Sequence, residues 1–276
     1  MRAAIRLFLA VAVCCFSTGC ITALTTIHLK PDGSGTIDQT MSMNAAAAAQ
    51  FASMMKGMNP EGSEAAGESE LFSEKDMREA ASKFGEGVTF VSSTPIKTAE
   101  RVGRVATYSF TDITKLHIEQ KPAAPGPAGA VTTSGPAEDV LFKFGRQPGG
   151  TSLLTIVFPE AKVKKAAEEK ISADSDDGEK SKEMDPAAMA MAKQMFDGLK
   201  IGIDLDVKGT IVKTNSAYVQ GSRVTLLEMD FSELLKNDAL LKHASEPKSI
   251  AEAKELLQGV KGFKMNLDPE VLVEFR

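Results

Sequence analysis

Apolar and polar residues alternate with a period of two along much of this chain, and stretches of helical spacing separate the runs. Leu24, Ile27 and Leu29 lead into Pro31-Asp32-Gly33-Ser34-Gly35, after which Ile37, Met41 and Met43 fall at period two. An Asp-Gly pair between such runs signals a hairpin, because glycine supplies the positive φ of a tight turn. Asn44 then caps a predicted alanine-rich helix over residues 45–57, with Phe51, Met55 and Met58 on one face. Asn59 to Ser69 reads as a soft linker. Ser73 opens a second helix with Asp76 at capping-box spacing, a Phe72–Met77 staple and Gly85 as its stop.

Val88–Thr94 and Val102–Phe110 read as strands joined by a polar turn, as do Val140–Phe144 and Leu153–Phe158. A charged helix is expected over Glu160–Ile171, and Asp185-Pro186 is a clean helix start leading to Met191, Met195 and Leu199. The clearest strand follows. Leu199, Ile201, Ile203, Leu205 and Val207 are apolar, while Lys200, Asp204, Asp206 and Lys208 between them are charged. Such alternation implies one buried and one wet face, hence an antiparallel sheet, with Tyr218–Met229 as partner. Helices around Ser232–His243 and Ser249–Gln258 and a last strand over Val271–Phe275 complete the reading.

The expected fold class is therefore α+β: an antiparallel sheet built from hairpins, with amphipathic helices packed on one face. Two stretches share a plan of helix, strand, turn and strand. One closes on Phe110-Thr111-Asp112-Ile113, the other on Phe231-Ser232-Glu233-Leu234. A duplicated αββ unit and a shared capping grammar both explain this echo. The expected organisation is a leader over 1–19, a first α+β half over 20–120 and a Pro/Ala/Gly-rich linker over 121–138. A second half over 139–276 then contains an acidic, disordered loop at 172–184.

The N-terminus carries the most specific signal. Arg2 and Arg6 precede an uncharged apolar run from Leu7 to Phe16, and the small residues Ser17, Thr18 and Gly19 lead to Cys20. That is the layout of an export signal, and the run is too short for a bilayer core needing about twenty residues. Ser17-Thr18-Gly19-Cys20 resembles the lipobox of bacterial lipoproteins, although an aliphatic residue is usual where Ser17 stands. The resemblance implies cleavage before Cys20, lipidation of its thiol and acylation of the new amino group. With Ile21 rather than Asp next to it, it also implies a periplasmic body on the outer membrane. Each buried methylene contributes about 0.8 kcal/mol, so two or three chains would anchor the protein stably. The order of anchor cysteine, strand, Asp-Gly-Ser-Gly turn, strand and helix over residues 20–118 also resembles the LppM-type lipoprotein domain, which implies an α+β fold with affinity for amphipathic lipids. That family's C-terminal membrane helix is not expected here, since no later apolar run approaches 18 residues, and no binding residue carries over.

Composition narrows the function classes. The chain has 276 residues, of which 43% are hydrophobic, enough for one large or two small domains with a real core. Without residues 1–19, Cys20 is the single cysteine, so no intramolecular disulfide can form. Loss of Arg2 and Arg6 leaves 30 basic against 37 acidic residues, a formal charge of −7. An acidic chain argues against nucleic acid as a partner and against a cationic grip on anionic lipid.

The familiar catalytic spacings do not occur in the sequence, although sequence alone leaves a serine–histidine pairing in three dimensions open. His28, His117 and His243 are scattered with no HExxH spacing, and no GxSxG turn occurs. His28 alternates with Ile27 and Leu29 and is expected to face solvent, while Asp204 and Asp206 read as the solvated face of a strand. Asp174-Ser175-Asp176-Asp177-Gly178 departs from a calcium loop in its glycine position and in Asp185 at the twelfth place. The thirteen methionines include Met41, Met43, Met54, Met55, Met58, Met189, Met191 and Met195. Thioethers suit Cu(I), ordinary packing, or a pliable groove for a lipid or partner helix. The expectation is a non-catalytic envelope lipoprotein, lipidated on Cys20, with no cofactor, binding an envelope protein partner or an apolar ligand. The alternative is an assembly component with no small-molecule site; a copper binder or an enzyme stands further behind. A cavity between sheet and helices would favour ligand binding, whereas a filled core with an apolar outer patch would favour assembly.

Overall fold

The computed structural model describes residues 21–58, 72–119, 139–158, 198–234, 236, 259–266 and 268–276. The predicted hairpin is its centre. Strand β1 (Ile21–Leu29) pairs antiparallel with β2 (Gly35–Asn44), with Ile27 opposite Ile37. The turn closes through Lys30 N donating to Ser34 O at 2.8 Å and Ser34 N donating to Asp32 Oδ1 at 3.0 Å. Helix α1 (Ala45–Met58) starts where expected, because the Asn44 carboxamide oxygen accepts from Ala46 N and Ala47 N. Helix α2 (Glu74–Ala80) has Ser73 as its N-cap, and Phe72 and Met77 are both buried beneath it.

The hairpin sits in the middle of a large sheet. On one side β2 pairs with β4 (Arg101–Phe110), which pairs with β3 (Thr89–Lys97) at the edge. On the other side β1 pairs with β8 (Lys200–Val207), and β8 pairs with β11 (Arg223–Asp230). The short strands β10 (Val219–Gln220) and β12 (Phe263–Met265) both pair with β11. A second, fully antiparallel sheet has the order β5 (Ile118–Glu119), β6 (Asp139–Arg146), β7 (Ser152–Val157), β13 (Glu270–Phe275), β9 (Ile211–Thr214).

This architecture corrects the α+β expectation. Among the described residues the molecule is mostly strand in two sheets, and the helices are short, α3 being only Phe231–Leu234. The apolar face that helices were expected to cover is, around Ile27 and Leu29, covered by the second sheet. Val140, Phe142, Leu154, Ile156, Val271, Val273 and Phe275 join Ile27, Leu29, Ile37, Tyr108, Leu205 and Val207 in one buried cluster. Each such side chain contributes roughly 1.5–3 kcal/mol when fully buried. The expected helices from Glu160, Asp185 and Ser249, the linker and the acidic loop lie outside the described residues, as does most of the helix from Ser232.

One further reading changes. The alternation in β8 fixes its faces, as expected, but not its direction: β8 runs parallel to β1 and antiparallel to β11. The two stretches of the αββ echo each contain an antiparallel strand pair but sit differently in the sheet. In the first copy the leading strand, β3, is the sheet edge; in the second the leading strand, β8, is interior and parallel to the hairpin. The closing motifs also differ, since Asp112 caps a 3-10 turn at Ile113–Lys115 whereas Ser232 Oγ accepts from Gly198 N.

The chain passes from the first sheet to the second between β8 and β9. Lys208 N donates to Leu29 O at 2.7 Å, and Thr210 and Arg276 exchange backbone hydrogen bonds. A Cβ on Gly209 would lie 2.3 Å from Arg276 O, so only glycine fits that crossing.

Candidate functional site

The two faces of the first sheet differ in kind, and the inner face holds an apolar cavity of about 370 Å³. Its floor follows from strand register. Met41, Ala23 and Ile201 form one row across β2, β1 and β8; Gln39, Thr25 and Ile203 form the next. Further along β1 the same face carries Ile27 and Leu29, both fully buried. Large residues at 27 and 29 fill the space between the sheets, while small residues at 23 and 25 leave room above them. The cavity is thus written in the taper of side-chain size along one strand.

The roof is α2 with the 3-10 turn Ala81–Phe84 that continues it, contributing Met77, Ala80, Lys83 and Phe84. His117 and Ile118 form a wall. Several contacts fix the roof height. The Tyr108 hydroxyl donates to Met77 O at 2.9 Å, with the Gln39 carboxamide 3.3 Å away, and the rings of Phe84 and Tyr108 stand 4.9 Å apart. Burial pushes the Tyr108 phenol up to about 12, so it stays a neutral donor across the physiological range. Arg104 Nε donates to Phe72 O at 2.9 Å, and the Arg78 guanidinium lies 4.3 Å above the Phe90 ring. Gly85, at φ 124°, bridges to Leu116, and His117 N donates to Phe84 O at 2.9 Å. A Cβ on Gly85 would meet Lys115 O at 2.1 Å, so this join of roof and wall requires glycine.

The outer face is polar. His28 lies there, as expected, but it is not simply solvated: its side chain is only 19% exposed. Nδ1 sits 3.0 Å from Asp206 Oδ2 on β8, and Nε2 sits 3.1 Å from Asp38 Oδ2 on β2. Thr107 donates to Asp38 at 2.7 Å, Ser222 to Asp206 at 2.7 Å and Thr225 to Asp204 at 2.8 Å. Burial acts to raise the Asp206 carboxyl, but hydrogen bonds from Ser222, His28 and Lys208 outweigh it and hold the group below the usual aspartate value. Ser222 bonds the aspartate rather than the imidazole, and both ring nitrogens face carboxylates. This cluster therefore ties β1 to both neighbours and leaves neither His28 nitrogen turned toward a nucleophile.

The sequence candidates scatter differently. Cys20 lies outside the described residues, but β1 begins at Ile21, immediately after it. Met41 lines the cavity and Met43 is buried beside it. Met189, Met191, Met195, His243 and the acidic loop from Asp174 lie outside the described residues, and so do the placements of the Met54, Met55 and Met58 side chains. His117 stands in the cavity wall. Ala23, Thr25 and Ala80, which make the space, were not singled out in the sequence. The one available signal was small residues at inward positions of a strand otherwise carrying Ile and Leu.

No protein-family model matches the chain, and no curated protein is similar to it. Among solved structures, the folded domain of the Mycobacterium tuberculosis LppM protein, determined by NMR, is similar, at 10% identity over 78% of this chain and 85% of that one. The TM-score is 0.28. At that value the function has to be read from this chain's own residues. No helix among the described residues is long and apolar enough to cross a membrane.

Proposed function

We propose that this chain is a non-catalytic, membrane-anchored envelope lipoprotein that takes an apolar or lipid ligand into the cavity beneath α2. The observation that supports it is the inner-face cavity itself, whose floor is opened by Ala23 and Thr25 and whose roof is held by Tyr108, Gly85 and Phe72. A volume of about 370 Å³ with mainly apolar walls suits a small apolar ligand. In this reading Cys20 carries the acyl chains, and Ile21 beside it directs the protein to the outer membrane with its body in the periplasm. With β1 starting at Ile21 and rising about 3.3 Å per residue, Ala23 lies within about 10 Å of the anchor, so the cavity would stand close to the bilayer.

The test is to purify the mature chain carrying Cys20→Ser, without residues 1–19, and to extract it with organic solvent. Mass spectrometry should find a stoichiometric lipid or other apolar molecule. A clean extract, together with no uptake of added fatty ligands, contradicts the proposal.

A second reading, an assembly component that docks an envelope protein, is favoured by a different observation. The outer side of the second sheet exposes Leu141 at 53% and Leu272 at 40%, and Val212 on edge strand β9 is 53% exposed. Cross-linking in the envelope through residue 272 that traps one protein, with the cavity empty, would select this reading.

A further inference from the structure

We infer that the ligand is a single-chain amphiphile with an anionic head, its head held at the cavity rim by Lys83 beside His117. This rests on the cavity being a ligand site and adds the chemistry of what enters it. Among the described residues that line the cavity, none is acidic, and Lys83 supplies the one full charge. That is distinctive in a chain with 37 acidic residues. Lys83 is exposed and makes no ion pair among the described residues, whereas most lysines on the strands do: Lys143 meets Glu270, Lys200 meets Asp230 and Lys264 meets Glu228.

The rim is also held in place. Lys83 belongs to the 3-10 turn that Gly85 ties to Leu116, and His117 is tied to the same turn through its backbone N–H on Phe84 O. The backbone at Lys83 and at His117 is therefore tied together where both residues line the cavity. Deeper in, Met41, Ile201, Ile203, Met77 and Phe84 offer only apolar surface, and Gln39 is already beside the Tyr108 hydroxyl. An ammonium at the mouth of an apolar slot recognises a carboxylate or phosphate whose hydrocarbon tail lies inside. The volume of about 370 Å³ is near the lower end for small-ligand sites, which fits one chain rather than two.

The test compares palmitate with hexadecanol, which share a chain length and differ in charge, by calorimetric titration of the mature chain carrying Cys20→Ser. Palmitate should bind about tenfold more tightly. Lys83→Gln should remove most of that preference and Lys83→Glu should reverse it, with hexadecanol unchanged in the first variant. Lys83 is exposed, so both variants should keep the wild-type circular dichroism spectrum. Equal binding of the two probes by the wild-type protein, or an undiminished preference in Lys83→Glu, overturns the inference while leaving the cavity as an apolar site. Dioctanoyl phosphatidylglycerol binding as tightly as palmitate overturns the single-chain part. Failure of every probe to bind removes the ligand site and this inference together.

Discussion

Ala23→Leu separates an open cavity from a filled core by the sign of one number. Ala23 lies between Met41 and Ile201 in the cavity floor. Leucine adds three carbons. If they enter empty space, each buried methylene contributes about 0.8 kcal/mol, so the substitution should stabilise the fold by about 2 kcal/mol after some rotamer entropy is lost. If the site were close-packed, the same carbons would be overpacked and would cost about 1–3 kcal/mol. The strand tolerates leucine at least as well as alanine. The assay is urea unfolding followed by circular dichroism, wild type against variant, with palmitate titrated into each. An open cavity predicts a higher urea midpoint, an unchanged m-value and loss of palmitate binding. Destabilisation by more than about 1 kcal/mol refutes the open cavity. A stabilised variant that still binds palmitate as wild type does refutes its use as the site.

Other substitutions test the parts around it. Tyr108→Phe removes the donor to Met77 O and should cost about 1–3 kcal/mol; in an alkaline absorbance titration it should also delete the phenol that ionises near 12. Gly85→Ala places a Cβ 2.1 Å from Lys115 O at a φ of 124°, and should cost at least about 1–3 kcal/mol in backbone strain, with palmitate binding weakened as the roof shifts. Asp206 is held below its ordinary value in the folded protein, so its stabilising contribution is complete above the unfolded value of about 3.9 and is lost as pH falls through the lower folded value. The gap in urea midpoint between wild type and Asp206→Asn should therefore shrink from pH 5 to pH 2.5; a constant gap would show that the carboxylate charge is not what stabilises. His28→Ala removes the group between Asp38 and Asp206 and leaves two carboxylates facing across β1, which should destabilise the sheet at neutral pH more than His28→Asn does.

Local grammar was legible in the residues and long-range pairing was not. The β1–β2 hairpin, the Asn44 and Ser73 caps, the Phe72–Met77 staple and the alternation of β8 all depend on neighbours within a few positions, and each stands where expected. The α+β class failed because alternation says which residues are buried, not what buries them; here a second sheet covers Ile27 and Leu29. Strand direction is equally silent in the pattern: β8 runs parallel to β1 although its alternation reads as antiparallel. Alternation puts His28 on the polar face, but its partners are 10 and 178 residues away, beyond any spacing rule. The cavity is hidden in the sequence for a related reason. Ala23 and Thr25 look like gaps in a hydrophobic run, and only the rows they share with Met41, Ile201, Gln39 and Ile203 turn those gaps into a floor.

The most direct measurement is the position of a bound chain. A nitroxide-labelled stearate added to the isotopically labelled mature protein should broaden the amide signals of Ala23, Thr25, Met41, Met77 and Ile201 at one equivalent, and spare those of Leu141, Val212 and Leu272. Broadening centred on the second sheet's outer face, or spread evenly over the surface, would contradict a ligand seated beneath α2.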